Sequence, residues 1–228
     1  IDDPKTRISY PDFIEEGDRL FVTETQKTVA RVHEVDPRLL AGPWKPAPPI
    51  DPPALDVPGE AQGKEVGMPE VPNLKERLGL TLAFRVRFDE LTDGQVLIDT
   101  IDEAGRGLKL NTTDHATLRL TLKDGPIEST WESDAGTQAG TLRVGVWQDV
   151  AIIVDAGPRI IAYLIDGQFN DGGPLREYGW GRFPDTLGDL NGRKAVRIAP
   201  SLLGRLADLK VFTRPLKTFE AVGLSLKP

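Results

Sequence analysis

Leu80-Thr81-Leu82-Ala83-Phe84-Arg85-Val86-Arg87-Phe88 decides the fold class. Leu80, Leu82, Phe84, Val86 and Phe88 recur at every second position, and Thr81, Arg85 and Arg87 occupy the other register. Successive side chains of a strand point to opposite faces, so this is a strand with one buried and one wet side. Working outward, Ala116, Leu118, Leu120 and Leu122 repeat the pattern with Thr117, Arg119 and Thr121 facing out, and Leu142, Val144 and Val146 repeat it again. Residues 150–154 and 160–165 are apolar on both faces and read as central strands. Turn signals separate these runs: Asp93-Gly94, Asp124-Gly125-Pro126, Ala156-Gly157-Pro158 and Asp166-Gly167. Short strands at this spacing, with almost no helical period, predict an all-β, two-sheet antiparallel sandwich. One short helix is predicted over 218–222, with Thr218 as its N-cap.

Composition sets the bounds. The 228 residues are 39% hydrophobic and 28% charged, enough to bury a core. The net charge of −7 argues against a nucleic-acid partner, which needs a basic face to neutralise phosphates. No apolar run approaches the ~20 residues of a membrane-spanning helix, so no membrane partner is expected. Cysteine is absent, which removes disulfides, thiolate metal sites and cysteine nucleophiles.

Three regions differ in character: a mixed, strand-rich stretch over 1–42, a segment over 43–72 holding nine of the 19 prolines, and the alternating region 73–228. Proline lacks the backbone donor and fixes φ, so 43–72 is predicted to be an extended linker. The stretch 1–42 holds only two or three strands, too few to bury a face unaided. It is therefore expected to lean on upstream polypeptide or on the sandwich.

Residues 147–166, ending at Tyr163-Leu164-Ile165-Asp166 before Gly167, and the closing run Gly204-Arg205-Leu206-Ala207-Asp208-Leu209-Lys210-Val211-Phe212 resemble the paired strands and last strand of a concanavalin A-like (laminin G-like) jelly roll. Asn170-Asp171-Gly172-Gly173 and Arg176-Glu177-Tyr178-Gly179-Trp180-Gly181-Arg182-Phe183 resemble an insert found in members attached to bacterial glycan-active proteins. At the front, Ser9-Tyr10-Pro11-Asp12-Phe13-Ile14, Arg19 to Lys27 and Thr28 to Val35 resemble the last blade of a sialidase-like (BNR-type) β-propeller, with Glu16-Gly17-Asp18 as its hairpin turn. Together the resemblances imply a jelly-roll sandwich preceded by a propeller-blade-like hairpin and a Pro-rich linker. They imply the C-terminal portion of a secreted or periplasmic glycoside hydrolase, with the remaining propeller polypeptide and a carbohydrate as partners. The alternative is a non-catalytic carbohydrate-binding or structural module.

Glycoside hydrolysis needs two carboxylates across a cleft. Glu24 and Asp12 are the candidates, against a solvated edge strand for Glu24 and a backbone-bonded turn for Asp12. Gln26, Lys27 and Arg31 are the polar groups nearby that suit sugar hydroxyls. Tyr178, Trp180 and Arg182, in a glycine-rich loop, form a second candidate platform, because a pyranose presents C–H groups that stack on aromatic faces. The same loop can instead fold inward as a plug. Trp131 is read equally as a concave-face residue or as core. His33 and His115 form no zinc motif. The jelly-roll resemblance admits calcium on oxygens of Asp99, Asp102, Asn170, Asp171, Asp189 and Asn191, but none forms an ordered ligand loop, and no metal or other cofactor is assigned.

Overall fold

The computed structural model describes residues 9–25, 30–35, 50–170 and 181–225. The chain divides into two compact units, Ile1–Pro49 and Ile50–Pro228.

In the first unit, β1 (Ser9–Glu16), β2 (Arg19–Thr25) and β3 (Ala30–Glu34) form an antiparallel sheet in the order β1-β2-β3. Gly17, at φ 61°, supplies the left-handed residue of the β1–β2 turn. Both faces carry apolar residues: Phe13 pairs with Val22 on one, and Ile14 with Phe21 on the other. Among residues 12–23 and 30–35 no side chain is buried.

The second unit begins with β4 (Leu55–Glu60), β5 (Glu65–Gly67) and a 3-10 turn over Leu74–Glu76. β6 (Gly79–Phe88), β7 (Val96–Asp99), β8 (Arg106–Thr112), β9 (Leu118–Asp124), β10 (Ile127–Glu132), β11 (Gln148–Asp155), β12 (Ile160–Ile165) and β13 (Gln168–Phe169) follow. The described chain closes with β14 (Gly181–Arg182), β15 (Ala195–Arg197), β16 (Gly204–Phe212) and helix α1 (Thr218–Ser225). The large sheet runs β13-β12-β11-β6-β16-β4, with β14 also on β12; the small sheet runs β10-β9-β8-β7; β15 pairs with β5. This is the antiparallel jelly-roll sandwich expected from the alternation.

The core lies between the two sheets. Leu80, Leu82, Phe84, Val86 and Phe88 of β6 meet Leu108 and Leu110 of β8 and Leu118, Leu120 and Leu122 of β9, all in one buried cluster. Tyr163 is buried among them, and its hydroxyl ties the sheets together: it donates to the Trp131 carbonyl and accepts from Leu120 N, both at 2.8 Å. On the opposite face of the large sheet a second cluster joins Ala83, Ala151, Ile153 and Leu164 to Ala221 of α1. Thr81, expected on the wet side, is therefore fully buried; its hydroxyl donates to the Arg214 carbonyl and accepts from Leu216 N.

Several expectations need correction. The segment 43–72 is not a linker throughout. Residues 50–72 belong to the second unit, and β4 is the outermost strand of the large sheet beyond β16, so the sandwich starts well before residue 73. Pro58 is tolerated because an edge strand has one row of unpaired N–H groups, and because the register with β16 shifts there, Pro58 and Gly59 together standing opposite Asp208. At the bulge Asp208 has φ 54°, and its carboxylate accepts the next N–H, from Gly59, at 2.7 Å. The bulge also brings both Leu206 and Leu209 to the core, which unbroken alternation would forbid. Residues 142–146 form a loop rather than a strand: Gly140 and Gly145 stand at positive φ, Leu142 is buried, and Val144 and Val146 are exposed. Ala116 sits at φ 58° in the β8–β9 turn, exposed, while Thr117 is buried. The helix runs to Ser225, and its cap is Glu220, whose carboxylate reaches back to Lys217 N at 2.7 Å, making Lys217 the N-cap position in place of Thr218.

Candidate functional site

Asp12 is exposed and pairs in register with Thr23, and Glu24 pairs in register with Arg31. Arg31 is exposed. Gln26 and Lys27 lie outside the described residues, as do Tyr178, Trp180 and Asp171. Arg182 is exposed on β14, opposite Ile160, and its carbonyl accepts from the Ser129 hydroxyl. Trp131 is partly buried against the core, and a Cβ at Gly181 would come 2.4 Å from its ring, so glycine is required where β14 crosses it.

The described oxygens among those considered for calcium serve other roles. Asp102 and Asp189 flank Arg106 at 3.6 and 3.4 Å, Asp99 accepts Ile101 N, and Asn191 bridges Asp189 and Val71. The Asn170 amide links Asp134 N to the Gly140 carbonyl. Among the described residues no three His, Asp or Glu side chains cluster as a metal site.

His115 and Glu132 form a polar knot at one end of the small sheet. Glu132 accepts from Arg119, from the Thr117 hydroxyl at 2.9 Å and lies 3.1 Å from His115 Nδ1. Burial pushes the Glu132 carboxyl up, but the hydrogen bonds from Arg119, His115 and Thr117 outweigh it and hold it at about 2. The same contact, with Asp114 beside it, raises His115. All polar groups here are engaged with one another, so the knot reads as structure.

The outer face of the large sheet differs. β11 and β6 pair Asp149 with Arg85 and Ala151 with Ala83; β16 adds Asp208 and Lys210. Two adjacent alanines leave a hollow of about 320 Å³, floored by Ala83 and Ala151, walled on one side by Leu224 and Ser225 at the end of α1 and on the other by Arg85, Asp149, Asp208 and Lys210. The charged pairs are loose. Arg85 Nε is 3.5 Å from Asp149, Arg85 Nη1 is 3.9 Å from Asp208, and Lys210 is 3.9 Å from Asp56. By contrast Arg214 meets Glu220 at 2.8 Å. Within the described residues the side chains of Arg85, Asp149 and Lys210 make no hydrogen bond, and the charged wall thus presents unused donors and acceptors to the hollow. Burial pushes the Asp149 carboxyl up; Arg85 pulls it down, and the Asp166 and Asp208 charges add to the rise. No sequence pattern announced this site, because its parts come from β6, β11, β16 and α1, and only strand pairing brings them together.

A two-sheet antiparallel jelly-roll sandwich of this topology is a concanavalin A-like domain. The model of the Concanavalin A-like lectin/glucanases superfamily matches residues 60–220, and the chain belongs to that family. No curated protein matches it in sequence. Among solved structures, it is similar to the receptor binding domain of botulinum neurotoxin mosaic serotype C/D (13% identity, 77% of this chain and 50% of that one, TM-score 0.53). It is similar also to the botulinum neurotoxin serotype D binding domain (14% identity, 75% and 42%, TM-score 0.51). The CBM40 of the Ruminococcus gnavus IT-sialidase, bound to alpha2,3 sialyllactose, overlaps more loosely (11% identity, 76% and 99%, TM-score 0.47). At these identities the likeness is one of fold. The chain spans half or less of the length of the two neurotoxin domains.

Proposed function

We propose that the chain is a non-catalytic carbohydrate-binding module and that the hollow on the outer face of the large sheet is its site. One observation carries the reading: Arg85, Asp149 and Lys210 line a hollow of ligand size with their hydrogen-bonding capacity unused. A sugar supplies vicinal hydroxyls that donate to Asp149 and Asp208 and accept from Arg85 and Lys210, while its C–H face lies on Ala83, Ala151 and Leu224. Membership in a lectin and glucanase superfamily agrees with this class of ligand. The direct test is a glycan array followed by calorimetry. The intact chain binds a glycan, Asp149→Asn weakens binding at least tenfold with an unchanged circular-dichroism spectrum, and equal binding by the variant overturns the assignment.

A second reading concerns the ribbon. Three strands with apolar residues on both faces and no buried side chain among residues 12–23 and 30–34 are marginal in water. This favours a module that accompanies a larger β-structured, glycan-active protein outside the cytoplasm, with the missing propeller blades supplied by further polypeptide. Full-length chain that shows glycosidase activity without such a partner contradicts it.

A further inference from the structure

The outward row along β11 does not stop at the hollow. Residues 147, 149 and 151 share that face, because Gln148 between them is buried and pairs with Val86 on the core side. The row reads Trp147, Asp149, Ala151: an aromatic ring, a carboxylate without a hydrogen bond, then the alanine floor. From Trp147 to Ala151 is about 13 Å at strand rise, longer than one pyranose ring. The Arg85 guanidinium, which lines the hollow, lies 5.3 Å from the Trp147 ring centre and joins the two places physically. Around Trp147 the surface is unusually apolar for a loop. Val144, Val146 and Trp147 are 52%, 41% and 36% exposed. The loop is nonetheless held: Gly145 N donates to the Phe88 carbonyl at 2.7 Å and Arg87 Nε donates to the Gly145 carbonyl at 3.1 Å. An exposed ring fixed in place beside unused polar groups has little left to lose in order when a flat apolar ligand face stacks on it.

We infer that Trp147 is a second subsite of the same groove and that the ligand is a glycan chain of at least two rings, one over the alanines and one against Trp147. This rests on the carbohydrate reading above and goes further, because a monosaccharide site needs no Trp147. Among the described residues, the four carboxylates in and beside the groove, Asp56, Asp149, Asp166 and Asp208, form ion pairs with three cations, Arg85, Lys210 and Arg143. A neutral chain therefore fits better than an anionic one.

The experiment uses the full chain on an array of neutral, amino and acidic glycans of graded length, with calorimetry on the hits. The expected result is affinity that rises from one ring to two or three. Trp147→Ala removes about tenfold of the oligosaccharide affinity and leaves monosaccharide affinity within twofold; Trp147→Phe restores most of the loss; Asp149→Asn weakens both. Trp147→Phe also guards against a folding defect. Binding that is independent of chain length, or Trp147→Ala lowering mono- and oligosaccharide binding alike, overturns the subsite while leaving the groove. Wild-type chain that binds no glycan overturns the carbohydrate reading itself. Adsorption to phosphatidylcholine–phosphatidylserine vesicles that Trp147→Ala abolishes, without Trp147-dependent glycan binding, assigns the apolar loop to a lipid surface and overturns the subsite as well.

Discussion

Asp149 is a carboxylate that the folded chain holds at a disadvantage. Its folded pKa is raised by burial and by Asp166 and Asp208. A carboxyl with a raised folded pKa binds its proton more tightly in the native state than in the unfolded one. Its favourable contribution is present at low pH and is lost as pH rises through the raised value. Asp149→Asn is accordingly expected to leave the melting temperature at pH 7 unchanged or higher, and any advantage over wild type is expected to vanish as the pH falls through the native pKa, where the wild-type carboxyl is neutral as well. Thermal melts over pH 3–8 check this, and a variant destabilised at pH 7 contradicts it. Glu132 is the opposite case. Its native pKa of about 2 lies below the ordinary carboxylate value, so its stabilising contribution is complete above the unfolded value and disappears as pH falls toward 2. Arg119 and His115 are partly to mostly exposed, so solvent screens the network and Glu132→Gln is expected to cost about 1–2 kcal/mol at pH 7. Denaturant melts at pH 7 and pH 2 check both the loss and its disappearance in acid. The same variant should lower the His115 pKa, which Glu132 raises, and an NMR titration of His115 reads that directly.

At the scale of elements, α1 shows how a short helix can decide where a site lies. Glu220 caps it, Arg214 grips Glu220 at 2.8 and 2.9 Å, and Thr81, near the start of β6, ties the approach to the sheet. Thr81→Val leaves Leu216 N without its partner in a buried place and is expected to cost about 1–3 kcal/mol. It should also weaken ligand binding, since Leu224 and Ser225 form one wall of the hollow. Chemical denaturation and calorimetry on one sample measure both, and loss of stability with unchanged affinity separates the helix from the site. Gly204 opens β16 at φ 152°, and a Cβ there would approach the Arg87 carbonyl to 2.1 Å; the glycine seen at the head of that run in the sequence is thus a steric requirement. Alternation predicted β6 and β9 with their core faces, and two-sided apolar runs predicted β11 and β12 as central strands, because hydrophobic burial acts on side chains one strand at a time. Alternation failed at Val144 and Val146, where glycines at positive φ turn the backbone away, and at Pro58, which looked like a breaker until the register shift there came into view.

At the scale of the whole molecule, the sandwich owns its core and the ribbon does not. All the buried apolar side chains of the described residues lie between Val57 and Ala221, within the second unit. A chain reduced to residues 50–228 is therefore expected to melt within a few degrees of the intact one and to bind the same glycans with the same affinity. Scanning calorimetry and the array test this, and a collapse of the shortened chain would show that the ribbon contributes to the fold. The sequence by itself determined the all-β class, the central strands, the turns and the family, since each depends on residues adjacent along the chain. The site was out of its reach. Asp149 is unremarkable beside Trp147 in the sequence; it becomes a groove carboxylate only because β6 sets Arg85 opposite it, β16 brings Asp208 and Lys210 alongside, and the end of α1 lines the same hollow. Pairing between distant strands sets those neighbours, and the packing of α1 sets what remains open, so only the tertiary structure could bring Arg85, Asp149 and Lys210 together with their side-chain hydrogen bonds still unmade.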